Sequence, residues 1–221
     1  MLLLAHRGLW TALGERNTRA ALKAAFDLGY GAETDIRDFD GQLVISHDMA
    51  VRDALPLSAV LADYDAAGRP GRLALNVKAD GLASALINEL DAFPGMRQKA
   101  FVFDMAVPDA LQYIGIGLQV FTRHSEYEPE PPFELQSQGI WMDCFINAWV
   151  DPDAIVARLI RGQTVAVVSP ELHKRDVHQV FWRILQERIQ RANLHADIIE
   201  KHLMICTDFP REANEFFRDV Q

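Results

Sequence analysis

The sequence predicts an α/β fold of the (β/α)8 barrel type, one domain over residues 1–221, on three observations. Short apolar runs alternate with longer helical stretches along the chain. Those runs are apolar on both faces, as strands of a covered parallel sheet are. Eight of them, starting at Leu2, Gly31, Leu73, Ala100, Leu118, Gly139, Thr164 and His202, qualify as parallel strands. A doubly wound open sheet is the alternative arrangement of the same alternation. No linker-like break, internal repeat or low-complexity tract interrupts it, and 221 residues against the ~250 typical of barrels implies short loops.

The elements follow in order. Leu2–Ala5 is a strand, and Asn17–Leu28 a helix with Asn17 or Thr18 as N-cap and Gly29 closing it. Gly31–Arg37 and Gln42–Ser46 are strands around Asp40-Gly41, a hairpin turn signal. Leu57–Tyr64 is a short helix and Leu73–Val77 a strand. Leu82–Phe93 is helical, Ala100–Phe103 extended, Pro108–Ile114 helical and Leu118–Phe121 extended. The Pro/Glu-rich loop Glu126–Pro132 precedes the strand Gly139–Met142. Helix Pro152–Arg161, strand Thr164–Val168, helix Val177–Gln190, strand His202–Cys206 and helix Glu212–Val220 complete the chain.

Composition narrows the function classes. Hydrophobic residues make up 49% and charged residues 24%, enough apolar content for a core and against disorder. The net charge of −9 argues against a nucleic-acid binder, while an anionic small substrate would need a local positive site. Cys144 and Cys206 are too few for a disulfide framework and are expected as buried thiols in a reducing compartment. The first residues run directly into His6-Arg7 without a basic leader, and no stretch has the length of a membrane span. The expectation is a cytoplasmic protein without stable membrane insertion; its oligomeric state is unreadable.

In a barrel the chemistry sits at the C-terminal ends of the strands. Those ends carry His6-Arg7, then Glu33 and Asp35, then His47-Asp48 after the hairpin, Asn76 and Lys78, Asp104, Arg123-His124, Asp143, Ser169–Glu171 and Thr207-Asp208. Glu33 and Asp35 are two apart on a strand and share one face. Two carboxylates aimed into an apolar interior repel each other and lose hydration unless a cation compensates. Mg²⁺ or Ca²⁺, with its preference for oxygen, is one solution; an ion pair with Arg7 or Lys78 is the other. His6 and His47 suit a general acid/base pair, and Arg7 and Lys78 supply donors for an anionic group. These parts suit phosphoryl transfer from a phosphodiester, and no Gly-rich dinucleotide fingerprint is present. Arg123 is a further candidate for holding phosphate or substrate, and Glu126 for binding hydroxyls, against the plainer reading of a solvated acidic loop. Trp141, Trp149 and Trp182 read as packing residues rather than a sugar platform.

The ordered set His6-Arg7-Gly8, Asn17-Thr18, Glu33-Thr34-Asp35, Asp40-Gly41 and His47-Asp48 resembles the glycerophosphodiester phosphodiesterase family, and Thr207-Asp208-Phe209-Pro210 resembles that family's closing segment. The resemblance implies a (β/α)8 barrel that cleaves a small anionic phosphodiester with a divalent metal, Mg²⁺ or Ca²⁺. It implies Glu33 and Asp35 as metal ligands, His6 and His47 as the acid/base pair, Arg7 on phosphate and Lys78 stabilising charge. It places the chain in lipid metabolism.

Three departures stand out. The family's third carboxylate ligand is replaced by Asn76, a neutral oxygen donor expected to bind a cation more weakly, with Asp143 or Glu171 as possible additional carboxylates. Arg16 stands where the family has a glutamate. About 28 residues separate His47 from Asn76, too few for the family's inserted subdomain, which implies an open cleft and a different or larger alcohol. A related diester or sugar-phosphate lyase or hydrolase, and a non-catalytic barrel binding an anion or a partner, are the alternative functions.

Overall fold

The computed structural model describes residues 1–218. By its internal contacts the chain resolves into two units, Leu4–Phe121 and the chain from Thr122 onward with Met1–Leu3.

The N-terminal unit is built on a parallel ladder of four strands: β1 (Leu2–His6), β2 (Gly31–Phe39), β5 (Leu73–Val77) and β6 (Ala100–Phe103). The register sets His6 opposite Glu33, and Asp35 opposite Asn76. β2 outruns its parallel partners, and its far end pairs antiparallel with β3 (Gln42–Ile45), which in turn pairs with β4 (Leu55–Pro56). The β2–β3 turn has φ of 50° at Asp40 and 78° at Gly41, the left-handed pair that the Asp-Gly dipeptide supplies cheaply. Helices α1 (Arg19–Asp27), α2 (Leu57–Ala66), α3 (Ala83–Asp91), α4 (Met96–Lys99) and α5 (Val107–Gly115) accompany the strands. Thr18 caps α1, its side chain accepting the Ala21 N–H. Phe26 of α1 meets Tyr64 of α2 edge-on at 5.0 Å, and both are buried. The strands bury Leu4, Ile36, Leu75 and Phe101.

The C-terminal unit holds β7 (Phe121–His124), β8 (Gly139–Met142), β9 (Val165–Val168) and β10 (Leu203–Thr207), with β8–β9 and β9–β10 parallel. Between and after them come α6 (Pro152–Ile160), α7 (His178–Arg191), α8 (Ala196–His202) and α9 (Pro210–Phe216). Asp151 and Pro152 start α6 as N-cap and first-turn proline. α7 buries Phe181, Trp182, Leu185 and Ile189 on one face, and Trp182 donates its indole N–H to Ser169 Oγ at 3.0 Å. Trp141 is also core, whereas Trp149 is only half-buried, and both cysteines are buried free thiols.

The expected α/β class with parallel strands is the one observed. The fifth strand differs: Leu118 and Val120 are buried, but before Phe121 only Val120 pairs, through a single bridge to Val102. α4 and α8 were not anticipated, because α4 is one polar turn and α8 buries only Ile199, too little for a visible period. The last helix starts at Pro210 instead of Glu212, and its expected end at Val220 lies outside the described residues. Among the described residues no helix is long and apolar enough to cross a membrane.

Candidate active site

His6 and Arg7 at the end of β1, Glu33 and Asp35 as the third and fifth residues of β2, and Asn76 and Lys78 at the end of β5 come from neighbouring strands of the N-terminal unit. β1 ends in a sharp turn: Arg7 has φ +57° and Gly8 φ +89°. A Cβ on Gly8 would lie 2.5 Å from the Ala21 carbonyl carbon, so only glycine lets this turn pack against the start of α1. The turn is pinned by Arg7 N–H to Glu33 O at 2.9 Å and Leu9 N–H to Ala21 O at 2.8 Å. Trp10 donates its indole N–H to His6 O, which fixes the backbone beneath the histidine.

Glu33, Asp35 and Asn76 are all buried, at 2%, 0% and 8% exposure. Asp35 is the hub. Its Oδ2 takes Asn17 Nδ2 at 2.8 Å and faces Arg7 Nε at 2.9 Å, while Oδ1 faces Lys78 Nζ at 3.4 Å. The ion-pair alternative read from the sequence is therefore realised for Asp35, with both cations. Glu33 is less well compensated: its nearest opposite charge is His6, with Nε2 3.8 Å from Oε2, and only when that imidazole is protonated. Burial, followed by repulsion from Asp35, pushes the Glu33 carboxyl up to about 7, against the opposing pull of His6, Arg7 and Lys78. Glu33 Oε2, Asp35 Oδ1 and Asn76 Oδ1 are buried oxygens with no hydrogen-bond donor. Native interiors seldom leave such acceptors unsatisfied, and three together match the donor set of a hard divalent cation. Among the described residues no three His, Cys, Asp or Glu side chains form a metal-binding group.

His47 lies in the exposed turn after β3, next to Ser46, whose N–H donates to Asp35 O at 3.0 Å. The His47 side chain is 48% exposed, its Nδ1 is 2.9 Å from Asp48 Oδ1, and its carbonyl accepts from Arg37 Nε. The structure thus brings His6, but not His47, into contact with the carboxylates. Arg16 stacks on Trp10 at 4.2 Å, and its neighbour Glu15 satisfies the Thr11 and Ala12 N–H groups.

The remaining candidates belong to the C-terminal unit. Arg123 pairs with Glu128 at 3.3 Å and lies 5.6 Å from the Phe145 ring centre. Asp143 Oδ1 is 2.7 Å from His173 Nε2 and accepts the Cys144 N–H. Glu171 Oε1 accepts from Thr207 Oγ1 and the Asp208 N–H, while its buried Oε2 has no hydrogen-bond donor. Glu126, a loop residue, accepts the N–H groups of Phe145, Ile146 and Asn147. Desolvation opposes ionisation there, but the backbone donors outweigh it and bring Glu126 down to about 2. The sequence reading missed Asn17 as a partner of Asp35 and His173 as a partner of Asp143. For Asn17 the signals were its place directly before a helix and its membership, with Thr18, in the ordered motif set.

No protein-family profile matches the chain, and no curated protein matches it in sequence. Solved structures do. A glycerophosphodiester phosphodiesterase from Parabacteroides distasonis ATCC 8503 superposes with a TM-score of 0.70 at 17% identity, over 100% of this chain and 98% of that one. A Galdieria sulphuraria protein provisionally assigned to the same activity gives 0.73 at 13% identity, over 98% and 97%. A glycerophosphodiester phosphodiesterase from Agrobacterium tumefaciens str. C58 gives 0.66 at 16% identity, over 95% and 97%. At identities this low the likeness establishes a common fold, and it does so over essentially the full length of the chain.

Proposed function

We propose that the protein is a divalent-metal-dependent phosphodiesterase that hydrolyses a glycerophosphodiester-like substrate to a phosphomonoester and an alcohol. One observation carries the reading. Glu33 and Asp35, with Asn76 in register beside them, form a buried oxygen cluster short of donors and flanked by Arg7 and Lys78. The fold shared with glycerophosphodiester phosphodiesterases supports it, and so does the order of the His-Arg, Glu-Thr-Asp and His-Asp segments.

Glu33, Asp35 and Asn76 would hold Mg²⁺ or Ca²⁺ through side-chain oxygens; when bound, the ion would polarise the phosphoryl oxygen and neutralise developing charge. Arg7 and Lys78 hold a diester anion by charge and orient its phosphorus. His6, 12% exposed and beside Glu33, removes a proton from the attacking hydroxyl, whether of water or of the substrate's neighbouring alcohol. His47, turned from its exposed position, returns a proton to the leaving alkoxide. The Asp48 carboxylate at Nδ1 favours the tautomer with the proton on that nitrogen and leaves Nε2 as the exchanging atom. Asp143 and Glu171 already serve other groups and are not needed as ligands in this reading.

The test is an activity screen of the purified protein across glycerophosphodiesters of different head groups, with Mg²⁺, Ca²⁺ or chelator. Release of a phosphomonoester that stops on chelation is expected. Full activity after thorough chelation would remove the metal from the scheme, and cation uptake with no turnover on any diester would favour an anion-binding module.

A further inference from the structure

Asn17 stands two residues before α1, just outside its N-cap, and the helix does not need it: Thr18 makes the capping bond. Its side chain is directed at Asp35, with Nδ2 2.8 Å from Oδ2. Its Oδ1 accepts from Thr34 Oγ1, also at 2.8 Å. The orientation of the amide follows from chemistry, because an ionised Asp35 only accepts and therefore requires the NH₂ side. Thr34, fully buried, then has one use for its single hydroxyl proton, and it locks the amide from the other end. The backbone is locked too. Asn17 has φ +59°, a conformation asparagine tolerates better than most residues, and its N–H binds Arg7 O at 2.9 Å. Arg7, itself left-handed at φ +57°, brings its guanidinium to the same Asp35 oxygen.

The two oxygens of Asp35 are thereby divided. Oδ2 is taken by Asn17 and Arg7, whereas Oδ1 accepts no hydrogen bond, faces Lys78 Nζ at 3.4 Å and lies on the strand pair that carries Asn76. We propose that Asn17 is a positioning residue for the cation: it holds the Asp35 carboxylate in one orientation, so that Oδ1 alone is presented to the metal. Thr34 fixes Asn17, and Asn17 fixes Asp35. The proposal rests on the cation reading of the Glu33–Asp35–Asn76 cluster given above.

The test compares wild type, Asn17→Gly and Thr34→Val by calorimetric titration with Mg²⁺ and Ca²⁺. Glycine keeps the left-handed backbone and removes only the amide. Losing a group that orients a metal ligand typically weakens the metal by about 10–100-fold, and that is the expectation for Asn17→Gly. Thr34→Val keeps the bond to Asp35 but frees the amide to swing, and a smaller weakening in the same direction is expected. Turnover of Asn17→Gly should recover at saturating cation, with only the cation requirement shifted, a split that general structural damage would not give. Wild type that binds while Asn17→Gly binds within twofold of it overturns the proposal. If Asn17→Gly does not fold, unchanged binding by Thr34→Val overturns it instead. Wild type that binds no cation is a separate result: it removes the metal reading, and this inference with it.

Discussion

Replacing Glu33 by glutamine isolates the cost of the buried carboxylate. Glu33 is 2% exposed, and burial plus Asp35 raise its carboxyl from the ordinary 4.5 to about 7. At about 1.4 kcal/mol per pH unit, that rise corresponds to on the order of 3 kcal/mol of destabilisation once the group is ionised in both states. The sign follows from proton linkage. Between about pH 4.5 and pH 7 the folded chain binds more protons than the unfolded one, so stability contributed at this site falls as pH rises through that window. In chelator, Glu33→Gln should match wild type near pH 4.5 and exceed it by on the order of 3 kcal/mol above pH 7. For a chain of this length that is roughly 6–12 °C in Tm. Thermal or urea unfolding from pH 4.5 to 8, each variant against wild type in the same buffer, reads it directly. Saturating Mg²⁺ or Ca²⁺ should then raise wild type above pH 7 and leave Glu33→Gln nearly unmoved, closing the gap. Parallel pH profiles, with a constant offset and no growth between pH 4.5 and 7, would refute the argument that ionised Glu33 is uncompensated.

Further outcomes follow from the same geometry. His6→Ala and His47→Ala should each lower turnover by roughly 10²–10⁴-fold while leaving the fold intact; wild-type turnover in both variants would refute the acid/base pair. Asn76→Glu adds a charged oxygen opposite Asp35 and should tighten Mg²⁺ or Ca²⁺ by about tenfold or more in calorimetric titration. Gly8→Ala forces a Cβ to within 2.5 Å of Ala21 backbone at φ +89°, and should cost on the order of 3 kcal/mol in urea unfolding.

The strands were legible because a parallel ladder buries both faces: Leu73–Val77 and Ala100–Phe103 begin and end where the apolar runs do. Glu33 and Asp35 were legible as a pair because strand periodicity alone places them on one face. Arg7 and Lys78 were legible as the alternative to a cation, but not that both would serve Asp35 rather than Glu33. Lys78 and Arg7 reach Asp35 through strand register and through a left-handed turn, and neither register nor φ is written in local sequence. Asn17 was less accessible still. As a residue beside a helix start it reads as a cap, and only the tertiary position of β2 shows that Thr18 caps while Asn17 serves Asp35. Glu126 illustrates the converse, since an acidic loop reads as solvated until the segment 145–147 supplies three N–H groups to it.

The charges around the cluster explain how a chain of net charge −9 can hold an anion. With both carboxylates ionised, Glu33 and Asp35 oppose Arg7 and Lys78 one for one, and the cluster is formally neutral. Neutrality is unfavourable for both tasks: a diester finds its two cations already engaged by Asp35, and Glu33 remains charged in an apolar setting. A divalent cation on the unsatisfied oxygens relieves the repulsion between the carboxylates and leaves the cluster with net positive charge. Arg7 and Lys78 are then less fully neutralised by Asp35, and an anion gains from both. On the proposed reading, cation and diester binding would be coupled by the charge balance itself, and by linkage each would tighten the other.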